Sequence, residues 1–202
     1  NEDLSKTSQY IANSERNIFK KSFTTVEEYL KSLEMELTIY EASIFTIPRI
    51  AQMTQKTNQF NLTTFRYTED DIKNKIKKGE LIHCLSVKDK FGDNGIAVLS
   101  IIQIENNIAF IDSLLLSCRI LGRNIEGVYL NFIINLLFDK NITEVRSSYL
   151  PSNKNKQTKD FYEKMNFNLV ETKSDGSKYY SLQLTQKRNI ENYYTINYIT
   201  NE

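Results

Sequence analysis

Ser117-Cys-Arg-Ile-Leu-Gly-Arg-Asn-Ile-Glu126 lies between an apolar run at 108–116 and a helical apolar stripe that starts at Ile125. Its Gly122 is the sole glycine between Gly95 and Gly127. A helix beginning there leaves its first amides without intrahelical partners. With Arg119 and Arg123 on either side, those amides make an anion site of the kind that suits a pyrophosphate or a phosphodiester. The same residues also describe an ordinary strand-to-helix turn with solvated arginines.

Upstream of this junction, 81–88, 96–104 and 108–116 read as strands. Phe91-Gly-Asp-Asn-Gly95 and Glu105-Asn-Asn107 supply turns, giving an antiparallel meander. Downstream, residues 125, 128, 129, 132, 133, 136 and 137 form a helical stripe that Leu130, Ile134 and Phe138 widen, so a mostly buried helix is expected over 124–138. A strand at 144–150, a helix at about 154–165 and strands at 169–172 and 178–184 follow. Before the meander, Thr25-Val-Glu-Glu28 fits a capping box that opens a helix, and 36–42 alternates as a strand. A helix carries Pro48 in its first turn, and a charged helix over 68–78 stops at Gly79. Residues 1–22 are polar and read as a surface helix or connector. The tail at 185–202, with Tyr193, Tyr194 and Tyr198, has no periodicity that places it.

A chain of 202 residues with 40% hydrophobic and 11% aromatic residues can build one core and an appendage. The formal charge of +1, with signs interspersed, gives no footprint for nucleic acid or an anionic membrane. Two cysteines, Cys84 and Cys118, and one histidine, His83, exclude a disulfide scaffold and a Cys/His zinc site, so no metal is expected. The longest strongly apolar stretch, 132–138, is far short of the roughly 20 residues that span a bilayer. A cytoplasmic protein is the expectation.

Arg119-x-x-Gly122-x-Asn124 resembles the (Gln/Arg)-x-x-Gly-x-(Gly/Ala) loop of the GNAT superfamily. Asn155-x-x-Thr158-x-x-Phe161-Tyr162-x-x-x-Asn166-Phe167 resembles its second signature, Asn-x-x-Ala-x-x-Phe-Tyr-x-x-x-Gly-Phe. The resemblance implies an α/β fold of the GNAT (N-acetyltransferase-like) type, a mixed, mostly antiparallel sheet flanked by helices. It also narrows. Arg49-Ile-Ala-Gln-Met-Thr-Gln-Lys-Thr-Asn-Gln-Phe-Asn-Leu-Thr-Thr64, Arg66-Tyr-Thr68, Asp89-Lys-Phe-Gly-Asp93 and the run from Ile111 to Arg123 look like the C-terminal, GNAT-like acyltransferase half of FkbH-like proteins. The match covers 23–184, which leaves 1–22 as a linker or remnant of a preceding domain and 185–202 as a C-terminal extension. In that family a haloacid-dehalogenase-like phosphatase domain precedes this one; no Asp-x-Asp nucleophile motif occurs here, so phosphate removal is not expected of these residues.

The FkbH-like resemblance implies transfer of a glyceryl-type acyl group to the phosphopantetheine thiol of an acyl carrier protein, as in polyketide-type assembly. Carrier-bound phosphopantetheine, or coenzyme A and acetyl-CoA, would lie along Leu116, Ser117, Arg119, Leu121, Gly122, Arg123, Asn124 and Asn155. Asn124 stands where the family has Gly or Ala and would crowd a pyrophosphate, which shifts the expectation from coenzyme A toward a carrier arm with its single phosphodiester. Tyr162 would protonate a leaving thiolate, since a donor beside a sulfur anion stabilises the charge that develops; alternatively Phe161, Tyr162 and Met165 are the core face of a helix. Asn58, Gln59, Asn61, Thr63 and Arg66 offer donors and acceptors for the acyl group, or else form a satisfied polar turn. Cys118, at a strand end beside Arg119 and a helix start, has surroundings that activate a thiol and would serve as a covalent acyl station; the plain alternative is a buried core cysteine. Two further readings stand beside acyl transfer to a carrier: an acetyl-CoA-dependent N-acetyltransferase, and a non-catalytic module that docks a carrier protein.

Overall fold

Alternating apolar residues over 81–116 can bury both faces of a sheet only if helices cover each side, and they do. The computed structural model describes residues 2–191 and 193–200, with side chains from residue 11 on. The chain runs α1 (Glu2–Lys20), α2 (Val26–Ser32), β1 (Met35–Glu41), α3 (Ile47–Lys56), β2 (Phe60–Asn61), α4 (Glu69–Lys77), β3 (Leu81–Asp89), β4 (Gly92–Glu105), β5 (Ile108–Leu116), α5 (Ile125–Asp139), β6 (Glu144–Tyr149), α6 (Phe161–Lys164), β7 (Asn168–Thr172), β8 (Lys178–Gln183) and β9 (Tyr194–Ile199). The sheet order is β7-β8-β6-β5-β4-β3-β1-β9. Its pairs are antiparallel except β5 with β6 and β1 with β9.

One face carries α3 and α4. Ile47, Ile50, Met53 and Ile72 pack there on Ile82, Cys84, Leu99, Ile101 and Leu115. The other face carries α2 and α5, where Leu30, Val128, Tyr129, Ile133 and Leu137 meet Leu85, Val87, Val98, Leu114 and Leu116. Neighbouring residues of β3, Cys84 and Leu85, therefore enter different cores, as the period of two requires. Each such fully buried aliphatic side chain contributes about 1.5–3 kcal/mol.

Several expected boundaries moved. Thr25 does cap α2, its Oγ1 accepting the Glu28 amide at 3.2 Å, and the reciprocal capping box forms at Thr68 and Asp71 on α4. The expected turn at 91–95 shrinks to Lys90 and Phe91: β4 begins at Gly92, with Asp89 paired to Gly92 and Lys88 to Asp93. Gly92, at φ 143°, closes the hairpin opposite Asp89, and Gly95, at φ 60°, sits in the bulge between Asp93 and Ile96. The expected helix at 154–165 is broken into a 3₁₀ turn at Lys156–Thr158 and the four-residue α6. Thr158 Oγ1 donates to the Asn155 carbonyl at 2.8 Å, a side-chain bond that competes with the helical ladder. The unplaced tail forms β9 on the β1 edge, with Tyr194 buried. No helix among the described residues is long and apolar enough to cross a membrane.

His83, on β3, is 1% exposed and its Nε2 lies 3.2 Å from the Tyr198 hydroxyl, which itself donates to Glu41 Oε1 at 3.1 Å. Burial lowers its pKa from 6.5 to about 4. The unfolded chain therefore takes up the proton first as pH falls, so the contribution is complete above pH 6.5 and is lost on the way down to about pH 4. The shift from 6.5 to about 4 corresponds to about 3 kcal/mol. Urea unfolding at pH 7 and pH 4.5 should show a smaller loss of stability for His83→Gln than for the wild type; equal losses would contradict the assignment.

Candidate active site

The junction 117–126 folds as its composition demands. A 3₁₀ turn at Cys118–Ile120 ends β5, Gly122 takes φ 79°, and Asn124 caps α5 at φ 54°. Both are left-handed conformations, open to glycine and tolerated by asparagine. Asn124 is exposed, its side chain making no capping bond.

Two cavities meet at this turn. The larger, of about 710 Å³, is lined by Arg49, Gln52, Met53 and Lys56 of α3, by Thr57, Asn58 and Gln59, by Leu116 to Arg119, and by Lys154. The smaller, of about 250 Å³, lies on the other side of Cys118 and Arg119 and is bounded by Leu121, Gly122, Arg123, Tyr29 and one face of α1. Cys118 is exposed and lines both, whereas Cys84 is buried in the α3 core. The reading of Cys118 as a core cysteine is thereby corrected. Burial pushes the Cys84 thiol up to about 12, which leaves it unreactive.

The electrostatics are one-sided. Arg49, Lys56, Arg119 and Lys154 line the larger cavity, and no Asp, Glu or His among the described residues does. Burial lowers the pKa of Arg49, with Arg119 as the second cause. Arg119 Nε donates to Ser117 Oγ at 3.1 Å. The Arg123 side chain turns inward, donating from Nη1 to Asp89 at 3.0 Å and from Nη2 to the Arg119 carbonyl at 2.8 Å, so it braces the loop from below. Its own carbonyl accepts the Tyr194 hydroxyl at 2.9 Å.

The expected acyl-binding residues divide. Asn58 and Gln59 line the larger cavity. Arg66 does not: its guanidinium donates to the carbonyls of Thr54 and Thr57 and to Asn58 Oδ1, holding the turn from behind. Asn61 and Thr63 are buried, and their side chains are spent internally. Asn61 Nδ2 donates to the Thr57 carbonyl at 3.2 Å and its Oδ1 accepts the Thr64 amide at 2.9 Å, while Thr63 Oγ1 donates to the Asp112 carbonyl at 2.8 Å.

Their burial follows from an arrangement the sequence did not announce. β5 and β6 pair only from Ile108 with Glu144 to Ile111 with Ser147. Beyond Ile111 the strands part, and residues 60–63 fill the opening. Phe60 and Asn61 pair with Leu116 and Leu115, the Leu62 amide donates to the Leu114 carbonyl at 3.2 Å, and the Leu62 carbonyl accepts the Leu150 amide at 2.8 Å. Asn155, expected beside a pantetheine arm, seals this wedge instead. It is 0% exposed; Nδ2 donates at 2.9 Å to the carbonyls of Asn61 and Leu150, and Oδ1 accepts the Ser152 amide at 2.7 Å. Its donors are occupied, so it is removed from the set of arm-binding residues.

Tyr162 likewise lines neither cavity. It is 1% exposed, with its ring 5.5, 5.1 and 5.4 Å from those of Phe161, Phe167 and Tyr180. Burial raises its pKa, which makes the phenol a weaker acid. Residues missed from sequence are Arg49, Gln52 and Lys154, and the face of α1. The signal was there: Arg49, Gln52 and Lys56 recur at helical spacing beside the apolar stripe of α3.

No protein-family model and no curated protein sequence matches the chain. Solved structures do resemble it in shape. The ribosomal-protein-S18-alanine N-acetyltransferase from Escherichia coli superimposes with a TM-score of 0.58 at 15% identity over 74% of this chain and 95% of that one. The PaiA N-acetyltransferase from Thermoplasma acidophilum, solved in complex with coenzyme A, gives 0.56 at 16% over 74% and 99%. A GNAT-family acetyltransferase from Listeria monocytogenes gives 0.55 at 14% over 73% and 95%. The chain has the fold of the GNAT N-acetyltransferases.

Proposed function

We propose that this domain is an acyltransferase that passes a glyceryl-type acyl group to the phosphopantetheine thiol of an acyl carrier protein, with Cys118 as the covalent station. The observation that carries the reading is an exposed thiol at the seam between two cation-lined cavities. When bound, the arm supplies a thiol that carries the acyl group as a thioester. Gln52 and Gln59 offer the larger cavity amide groups for the hydroxyls of a three-carbon acyl group, while Asn58, tied to Arg66 and to the Lys56 carbonyl, shapes its wall. Gly122 and its neighbours supply the backbone for a phosphodiester.

In the first step Cys118 Sγ bonds to the acyl carbon of an activated glyceryl donor as that carbon's bond to its leaving group breaks, and the thiol proton departs with the leaving group. In the second, that S–C bond breaks as the carrier sulfur bonds to the same carbon, and the carrier thiol's proton passes to Cys118 Sγ. Tyr162 has no part in either step, because it does not reach the cavities.

Acetyl-CoA-dependent N-acetylation is the second reading, favoured by the coenzyme A complex of the Thermoplasma neighbour. Against it, no carboxylate or imidazole among the described residues lines the larger cavity to take an amine proton. The test is intact-mass spectrometry after incubation with an acyl donor. The expected result is a single adduct that maps to Cys118 and is absent from Cys118→Ser; an adduct that survives this substitution would overturn the covalent station.

A further inference from the structure

The four α1 residues that line the smaller cavity, Asn13, Arg16, Asn17 and Lys20, stand at i, i+3, i+4 and i+7 and so form one helix face. They oppose Leu121, Gly122 and Arg123 across a space of about 250 Å³. α1 is fixed there by a buried ion triad. Arg16 donates from Nε to Asp89 Oδ2 at 2.7 Å and from Nη2 to Oδ1 at 2.8 Å, and Arg123 Nη1 donates to Oδ2 at 3.0 Å.

The triad does not balance. Two guanidinium groups, with side chains 5% and 4% exposed, share one carboxylate that is 0% exposed. Burial, and then the neighbouring Arg16, lower the Arg123 pKa to about 10. Lys20 adds a further cation at the rim, set 5.7 Å over the Tyr29 ring, and no Asp or Glu among the described residues lines the cavity. A buried cationic excess is costly unless an anion offsets it.

We infer that α1 forms the second wall of a phosphate site, in which Asn13, Asn17 and Lys20 grip, from the side opposite the 121–123 loop, the phosphoryl group at the head of a pantetheine arm. This rests on the arm-binding reading above and adds to it a specificity device outside the part of the chain that matches the GNAT signatures. The cavity accepts one phosphoryl group with its immediate substituents.

Calorimetric titration of the full chain with 4′-phosphopantetheine and with pantetheine tests it. The wild type should bind the phosphorylated ligand about tenfold or more tightly than pantetheine, and Lys20→Glu should abolish that preference while leaving pantetheine affinity unchanged. Asn17→Ala, an exposed and mild change, should reduce it in the same direction. If both variants, folded by circular dichroism and with wild-type melting temperatures, keep the wild-type preference, the α1 wall is refuted and the arm-binding reading survives. If the wild type binds neither ligand, both fall. Repeating Lys20→Glu with coenzyme A and with holo carrier protein identifies the source of the phosphate: a loss with either supports the inference, and a loss with neither refutes it.

Discussion

Asp89→Asn should lower the stability of this chain by about 3–5 kcal/mol, the usual cost of removing one partner from a buried ion cluster, and the melting temperature by roughly 10 °C. Asp89 is the only carboxylate in the triad, and its side chain is 0% exposed. Asparagine keeps the shape but leaves Arg16 and Arg123 facing each other with no carboxylate between them. It also loses charge from the carboxylate that accepts the Phe91 amide at 3.0 Å, the bond that shapes the β3–β4 turn. Arg16→Met should cost less, because it removes the excess cation together with its partner's load and leaves Arg123 and Asp89 paired one to one. Thermal melts of the two variants decide the matter; a shift for Asp89→Asn no larger than that of a surface substitution would show that the triad is not what holds α1.

The second large effect concerns chemistry. Cys118→Ser should reduce acyl transfer by at least about 10³-fold, since a hydroxyl with no adjacent base is a far poorer nucleophile than a thiol. No His, Asp or Glu among the described residues lines either cavity, so nothing there would activate the serine. The fold should be unaffected, because Cys118 is exposed and outside both cores. Cys84→Ser offers the contrast. It places a hydroxyl among Ile50, Leu99 and Leu115 and should lower stability without a specific loss of transfer.

The meander, the strand-to-helix junction and the long buried helix were legible because each carries a local signal: alternation, a glycine with flanking arginines, and a 3.6-residue stripe. The wedge at 60–63 was not. Asn61 and Thr63 look like ligand-binding residues because polar side chains in a turn usually face solvent or substrate. Only the parting of β5 from β6 after Ile111, a long-range feature, turns them inward. Asn155 and Tyr162 sit where the second GNAT signature would place them, yet Asn155 is consumed in closing that wedge and Tyr162 is packed between aromatic rings. The α1 face was readable as Asn13, Arg16, Asn17 and Lys20 at helical spacing, but a polar stripe on a polar segment gives no hint of what it faces. β9 escaped for a related reason: its partner β1 lies some 160 positions upstream, as the pairing of Met35 with Tyr194 records.

We propose that the cleft around Cys118 receives a phosphopantetheine arm delivered by a carrier protein. Calorimetric titration of this chain with holo carrier, apo carrier and coenzyme A tests it most directly. A marked preference for the holo form over both others is the predicted result; equal binding of holo and apo carrier, or tight binding of coenzyme A alone, would contradict it.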